Sequence, residues 1–195
     1  MALTVPPPRT APGDPVRSAD RTARWYERVL GWRVAGGVPV QLATGLLFDV
    51  LELPADAGAA LLRRPVATGP VALLGRRMRF LVAPGGAEEL AGLLDWLEWG
   101  GVELELTAMG EGGRMTAPEP PGAVHPPGEV PRGAAVWLRP PEPGCEASLP
   151  ALPGRGQGSA PGLVRLVGAA ATECHRARLL RARRPGGVGQ PLAFS

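Results

Sequence analysis

Residues 42–64 read LATGLLFDVLELPADAGAALLRR, an apolar stretch broken by few charges and closed by two arginines. Between Gly45 and Pro54 the chain is apolar except for Asp49 and Glu52, the pattern of a strand, residues 46–53, buried in a covered sheet. A carboxylate in such a strand is costly unless a metal, a hydrogen-bond donor or a cation meets it, or unless it faces a cleft. Residues 54–58 then turn the chain, and residues 59–64 suit a short helix. An acidic strand leading into a short helix occurs in metal-dependent nucleotidyl transferases, and also in many inert α/β proteins.

Working outward, Ser18 can cap a helix over residues 19–30, with Ala23, Tyr26, Val29 and Leu30 on one face and Gly31 at its exit. Short extended segments follow at 32–34 and 38–42. Downstream, residues 70–74 and 78–83 read as two strands joined by Gly75-Arg76-Arg77. Alternation sets Arg77, Arg79 and Leu81 on one face of the second and Met78, Phe80 and Val82 on the other. Leu90, Leu93, Leu94 and Leu97 recur at helical spacing, closed by Gly100-Gly101. Residues 102–106 alternate strictly, with Glu103 and Glu105 opposite Val102, Leu104 and Leu106, which predicts a strand. Residues 114–117 and 134–138 are two further extended segments. A final helix over 161–184 starts at Pro161, with Leu163, Val167, Ala170 and Cys174 along a stripe.

The expected fold class is α+β, a mixed or antiparallel sheet with packed helices, Pro-rich tails and a C-terminal helix. The expected organisation is a disordered Pro-rich stretch at 1–17, one domain over 18–141, a Pro/Gly-rich linker at 142–160, the helix at 161–184 and a tail at 185–195. At 195 residues one substantial core is expected. Arginine supplies all 21 basic residues, with no lysine, asparagine or isoleucine, a codon bias that fits a GC-rich genome. The same bias inflates the 28 glycines and 24 prolines, so they do not by themselves mean disorder.

The net charge of +3 is unevenly spread. From Pro161 onward six arginines face Glu173 alone, a local +5 that leaves the body at −2. Two cysteines, Cys145 and Cys174, form no spaced metal motif and no disulfide framework. The N-terminal residues lack the blocks of a signal peptide and no apolar run is long enough to span a membrane, so a soluble, cytoplasmic protein without membrane partners is expected.

Carboxylates that converge can hold Mg²⁺ or Mn²⁺ for phosphoryl transfer. On a strand the simplest arrangement is Asp-x-Asp, and here Asp49 is followed by Leu51 at that spacing. Asp49, Glu103 and Glu105 form a metal set if their strands are neighbours; otherwise the two glutamates are the wet side of an amphipathic strand. Arg77 and Arg79, with Arg76, suit phosphate binding through bidentate guanidinium contacts, or form a solvated hairpin edge. Arg176, Arg178, Arg181, Arg183 and Arg184 suit nucleic-acid contact, or complement a helix dipole. The glycine run 110–113 has neither P-loop nor dinucleotide spacing. His125 lies among prolines, and His175 adjoins Cys174 on a helix, where neighbours diverge. The five tryptophans suit core and interface positions.

Residues 23–34, ARWYERVLGWRV, resemble the helix-to-strand junction of glyoxalase and related vicinal-oxygen-chelate proteins over a dozen residues without a metal ligand. A longer resemblance runs from Trp32 to Pro141 through GWRV, LATGLLFDVLELPADAG, GPVALLGRRMRFLVAPG, LELTAMGEGGRMTAPEPPG and AAVWLRPP. This order resembles the bifunctional DNA primase/polymerase N-terminal (prim-pol) domain of the archaeo-eukaryotic primase superfamily. The resemblance implies a sheet of RNA-recognition-motif type with an added αβ unit. It also implies catalytic carboxylates at Asp49 and Glu105, a second carboxylate position that falls on Leu51, and a phosphate-binding histidine position that falls on Met78. With those two ligands replaced, the expectation is a catalytically degenerate binding or regulatory module with no cofactor. An active or altered metal-dependent primase/polymerase, using Mg or Mn, and a protein-interaction module are the alternatives. The expected partners are nucleic acid, nucleotide or protein.

Overall fold

A computed structural model of the chain describes residues 15–123, 134–154 and 162–183. His125, Pro161, Arg184, most of the N-terminal stretch and the tail expected at 185–195 lie outside them. Pro15 opens helix α1 (Pro15–Trp25), a position where its missing N–H costs nothing. Ser18, expected to cap the helix, is inside it. A π-helical turn, Tyr26–Leu30, continues α1 and ends at Gly31, whose φ of 69° is the left-handed exit the sequence predicts. The wider turn takes Val29 off the buried face, leaving Tyr26 and Leu30 inward.

Strands β1 (Val34–Gly36) and β2 (Gln41–Ala43) precede β3 (Asp49–Pro54). Helix α2 (Ala55–Leu61) follows β3 with no intervening turn, four residues earlier than the sequence suggests. Asp56 in its first turn accounts for this, because its Oδ1 accepts the N–H of Ala57 at 2.8 Å, an otherwise orphaned helical donor. Then come β4 (Val71–Leu74), β5 (Arg77–Val82), α3 (Leu90–Trp96), β6 (Thr107–Met109), β7 (Arg114–Thr116), β8 (Val136–Arg139) and the long α4 (Leu163–Ala182).

The strands form two antiparallel sheets, one ordered β1-β2-β7 and the other β6-β3-β5-β4-β8. Antiparallel α+β architecture is thus as expected, with two sheets in place of one. In the larger sheet the two-residue alternation sorts side chains onto opposite faces. Leu51 and Leu53 of β3 and Met78, Phe80 and Val82 of β5 pack with Ala57 and Leu61 of α2 and with Leu163, Leu166, Val167 and Ala170 of α4. On the reverse face Val50, Ala72 and Leu81 pack with Tyr26, Trp32, Leu42, Phe48 and Met115. Helices cover one face and the small sheet, with its aromatic neighbours, covers the other, which is why β3 is apolar almost throughout.

Residues 102–106 form no strand. In the register of β6 on β3, Glu52 faces Thr107. Extending it would set Leu106 against Leu53 and Glu105 against Pro54, which has no N–H, and beyond Pro54 the chain is already helical. The alternating segment has no strand to join.

The stretch read as a linker is also partly core. A 3₁₀ turn at Cys145–Ser148 leads to Leu149 and Ala151, both buried, and the N–H of Ala83 donates to the carbonyl of Pro150 at 3.0 Å. Trp32 Nε1 donates to the Glu146 carboxylate, fastening this segment to the aromatic cluster. Among the described residues no helix is long and apolar enough to cross a membrane.

Candidate functional site

Asp49 begins β3 on the helix-covered face and is fully buried. Its Oδ2 accepts the N–H of Ala87 at 2.9 Å, while Oδ1 has no hydrogen-bond partner. Burial pushes its pKa above the ordinary carboxylate value; Ala87 opposes that rise, and the charge of Glu88 adds to it. Such a group ties the connection after β5 to the start of β3.

Leu51 and Met78 lie on the same face as Asp49. Asp49 faces Val82, Leu51 faces Phe80 and Leu53 faces Met78 across the β3–β5 ladder. Leu51 is 1% exposed and Met78 4%. The Met78 side chain is pressed against Gly58 of α2, where an added Cβ would come within 2.5 Å of its sulfur. The helix layer fills the space in which polar ligands at these positions would have to work.

Glu103 and Glu105 sit apart from Asp49, at the surface in the segment before β6. Arg178 of α4 holds Glu103 at 2.9 Å and also donates to its backbone carbonyl. Arg181 bridges Glu105 and both carboxylate oxygens of Asp56, the latter at 2.8 and 2.9 Å. Among the described residues no group of three His, Cys, Asp or Glu side chains is placed to hold a metal ion. Asp49, Glu103 and Glu105, expected as a metal set if their strands were neighbours, are not brought together: 102–106 forms no strand, and the glutamates lie with the arginines of α4.

Arg77 and Arg79 face the opposite side of the sheet from Met78, as alternation predicts, and both are bound to Glu52. Arg77 Nε reaches Glu52 Oε1 at 2.9 Å, and Arg79 Nε reaches Oε2 at 2.7 Å. Arg77 also donates to the Glu105 carbonyl at 3.0 Å. Burial alone would raise the Glu52 pKa, yet the two guanidinium groups outweigh it and hold the carboxyl below its usual value. The pair expected to bind phosphate is occupied by an internal carboxylate, though Arg79 Nη1 is buried without an acceptor.

The basic face of α4 is similarly engaged. Besides Arg178 and Arg181, Arg176 lies 3.8 Å from Glu173, which also pairs with Arg64, while Arg183 is exposed at the helix end. Two of these arginines, Arg178 and Arg181, meet carboxylates of the body.

Sequence reasoning missed Glu52 as the hub of this sheet and Asp56 as the partner of Arg181. Opposite charges directly across a ladder were the available signal for Glu52, which faces Arg79, but only the register reveals it. Tyr26 was read as core alone. Its hydroxyl donates to the Pro118 carbonyl at 2.7 Å and accepts from Trp137 Nε1 at 2.9 Å, so it also joins the π-helical turn to β8. His175 packs against Trp99 with its Nδ1 buried and unpartnered. Both cysteines are free thiols, and burial pushes Cys174 up to about 12. A pocket of about 220 Å³ opens between Trp32, Arg33, Leu46, Leu47 and Phe48, away from these groups. Compared with protein-family models, with curated proteins and with solved structures, the chain matches none.

Proposed function

We propose that this chain is a binding or regulatory module on a primase/polymerase-like sheet, without nucleotidyl-transfer activity. One observation carries the reading: Asp49, Leu51 and Met78 share one face of the adjacent strands β3 and β5, and α2 and α4 are packed onto that face. Positions that a polymerising site would fill with oxygen and imidazole hold an aliphatic chain and a thioether in a dry core. The remaining carboxylates support the same reading, since Glu52, Glu103 and Glu105 are each neutralised by arginine. Templated nucleotide addition depends on positioned metal ions and charge stabilisation, so a donor set in this condition supports no such step.

Primer synthesis and primer extension with Mg²⁺ or Mn²⁺ test this reading. The expected outcome is no product above a blank reaction. Product formation that disappears in Asp49→Ala would overturn it. A second reading, a protein-interaction module unrelated to nucleotides, is favoured by Trp96, a large apolar side chain on α3 that is 72% exposed.

A further inference from the structure

The distal end of α4 is attached differently from the rest of the helix. Its buried side chains run from Leu163 to Ala177, and beyond them Leu179 and Leu180 are exposed. What ties this end to the body is charge: Arg178 on Glu103, and Arg181 on Asp56 and Glu105. The same two arginines hold residues 102–106, which have no strand partner. Each pair is open to solvent, with the side chain of Glu103 85% exposed and those of Asp56 and Glu105 about half exposed. Exposed pairs are individually weak and are screened by salt. Cys174, one turn before Arg178 and two turns before Arg181 on the same face of α4, is buried in the helix–sheet core.

We propose that the end of α4, residues 178–182, and the segment 102–106 form one charge-latched unit that opens together while the sheet and the rest of α4 stay folded, uncovering Cys174. Ala177, and Leu106 at the inner end of the segment, are buried and act as the hinges of the moving parts, while Leu104 between them and the latch is only partly buried. The two parts share their ion pairs, with Arg77 on the Glu105 carbonyl a further tie, so loss of the Arg181 pairs loosens both. Sub-global openings of this kind occur where few apolar contacts hold an element. The inference is independent of whether the chain handles nucleotides.

The test uses the full chain carrying Cys145→Ser, in which Cys174 is the only thiol. Its rate of modification by a maleimide is compared at low salt, at about 1 M NaCl, and in Arg181→Ala, with Arg165→Ala at the other end of α4 as the control. Hydrogen exchange of the same proteins reports the backbone. Labelling about tenfold faster in high salt and in Arg181→Ala is expected, with an unchanged urea midpoint and with 102–106 and 178–182 gaining exchange together. The proposal is overturned if salt and Arg181→Ala leave the rate unaltered, or if labelling rises only with global unfolding. It is equally overturned if Arg165→Ala has the same effect, or if 178–182 exchange while 102–106 remain protected.

Discussion

Asp49 and Glu52 stand three residues apart on one strand and have opposite electrostatics. Asp49 is buried, and that desolvation outweighs its backbone donors, so its pKa is raised from 3.8. Between that value and the raised one, the folded chain keeps a proton that the unfolded chain has released, so stability falls as pH rises through the window. In Asp49→Asn this slope should vanish from urea midpoints measured across pH, while the amide oxygen still accepts from Ala87. Asp49→Ala leaves that N–H without its acceptor and is expected to cost about 1–3 kcal/mol. Glu52 behaves in the reverse sense. Its lowered pKa gives stability that is present above 4.5 and lost as pH falls through the depressed value. Glu52→Gln strands two largely buried guanidinium groups, with an expected loss of about 1–3 kcal/mol by chemical denaturation at pH 7. That a carboxylate in an apolar strand needs a partner was legible for Asp49. The partner's identity was not, because Ala87 is 38 residues away in a connection without a motif.

Among the elements, a continuous apolar run located β3, which is buried on both faces, and hydrophobic periodicity located β5, α3 and α4. It misplaced 102–106 because alternation reports which side of a strand would be wet, and says nothing of whether a neighbour strand extends far enough to pair. It delayed α2 because Pro54 was read as opening a turn, whereas the chain enters the helix directly after it. The close seating of α2 on β5 is the consequence that can be measured. Glycine to alanine within a helix ordinarily gains about 1 kcal/mol. At Gly58 the added Cβ would lie 2.8 Å from the Met78 Cβ, which cannot swing away as the sulfur can. Gly58→Ala is therefore expected to lose about 1–3 kcal/mol, read as a lower melting temperature.

Across the whole molecule, charge and burial are divided between the body and α4. The split of −2 and +5 was legible in the sequence, and it suggested a basic surface awaiting a polyanion. Arg178 and Arg181 instead meet carboxylates of the body, a pairing that only tertiary structure reveals. The stretch before α4 looked like a linker because proline and glycine mask the two residues, Leu149 and Ala151, that enter the core. Helix α4 consequently behaves as part of the fold: a chain ended at residue 161 loses Leu163, Leu166, Val167 and Ala170 from the helix–sheet core. Such a chain should lack a cooperative thermal transition by circular dichroism, whereas a detachable appendage would leave the transition intact.

Under the proposed function, Asp49, Glu52, Glu103 and Glu105 take up no divalent metal, because Asp49 is buried beside a backbone donor and the glutamates are bound by arginine. Titration of the full chain with Mn²⁺, followed by electron paramagnetic resonance, tests it most directly. The signal of free Mn²⁺ is expected to rise in proportion to the metal added, with no saturable site. A stoichiometric site that disappears in Asp49→Asn would contradict it.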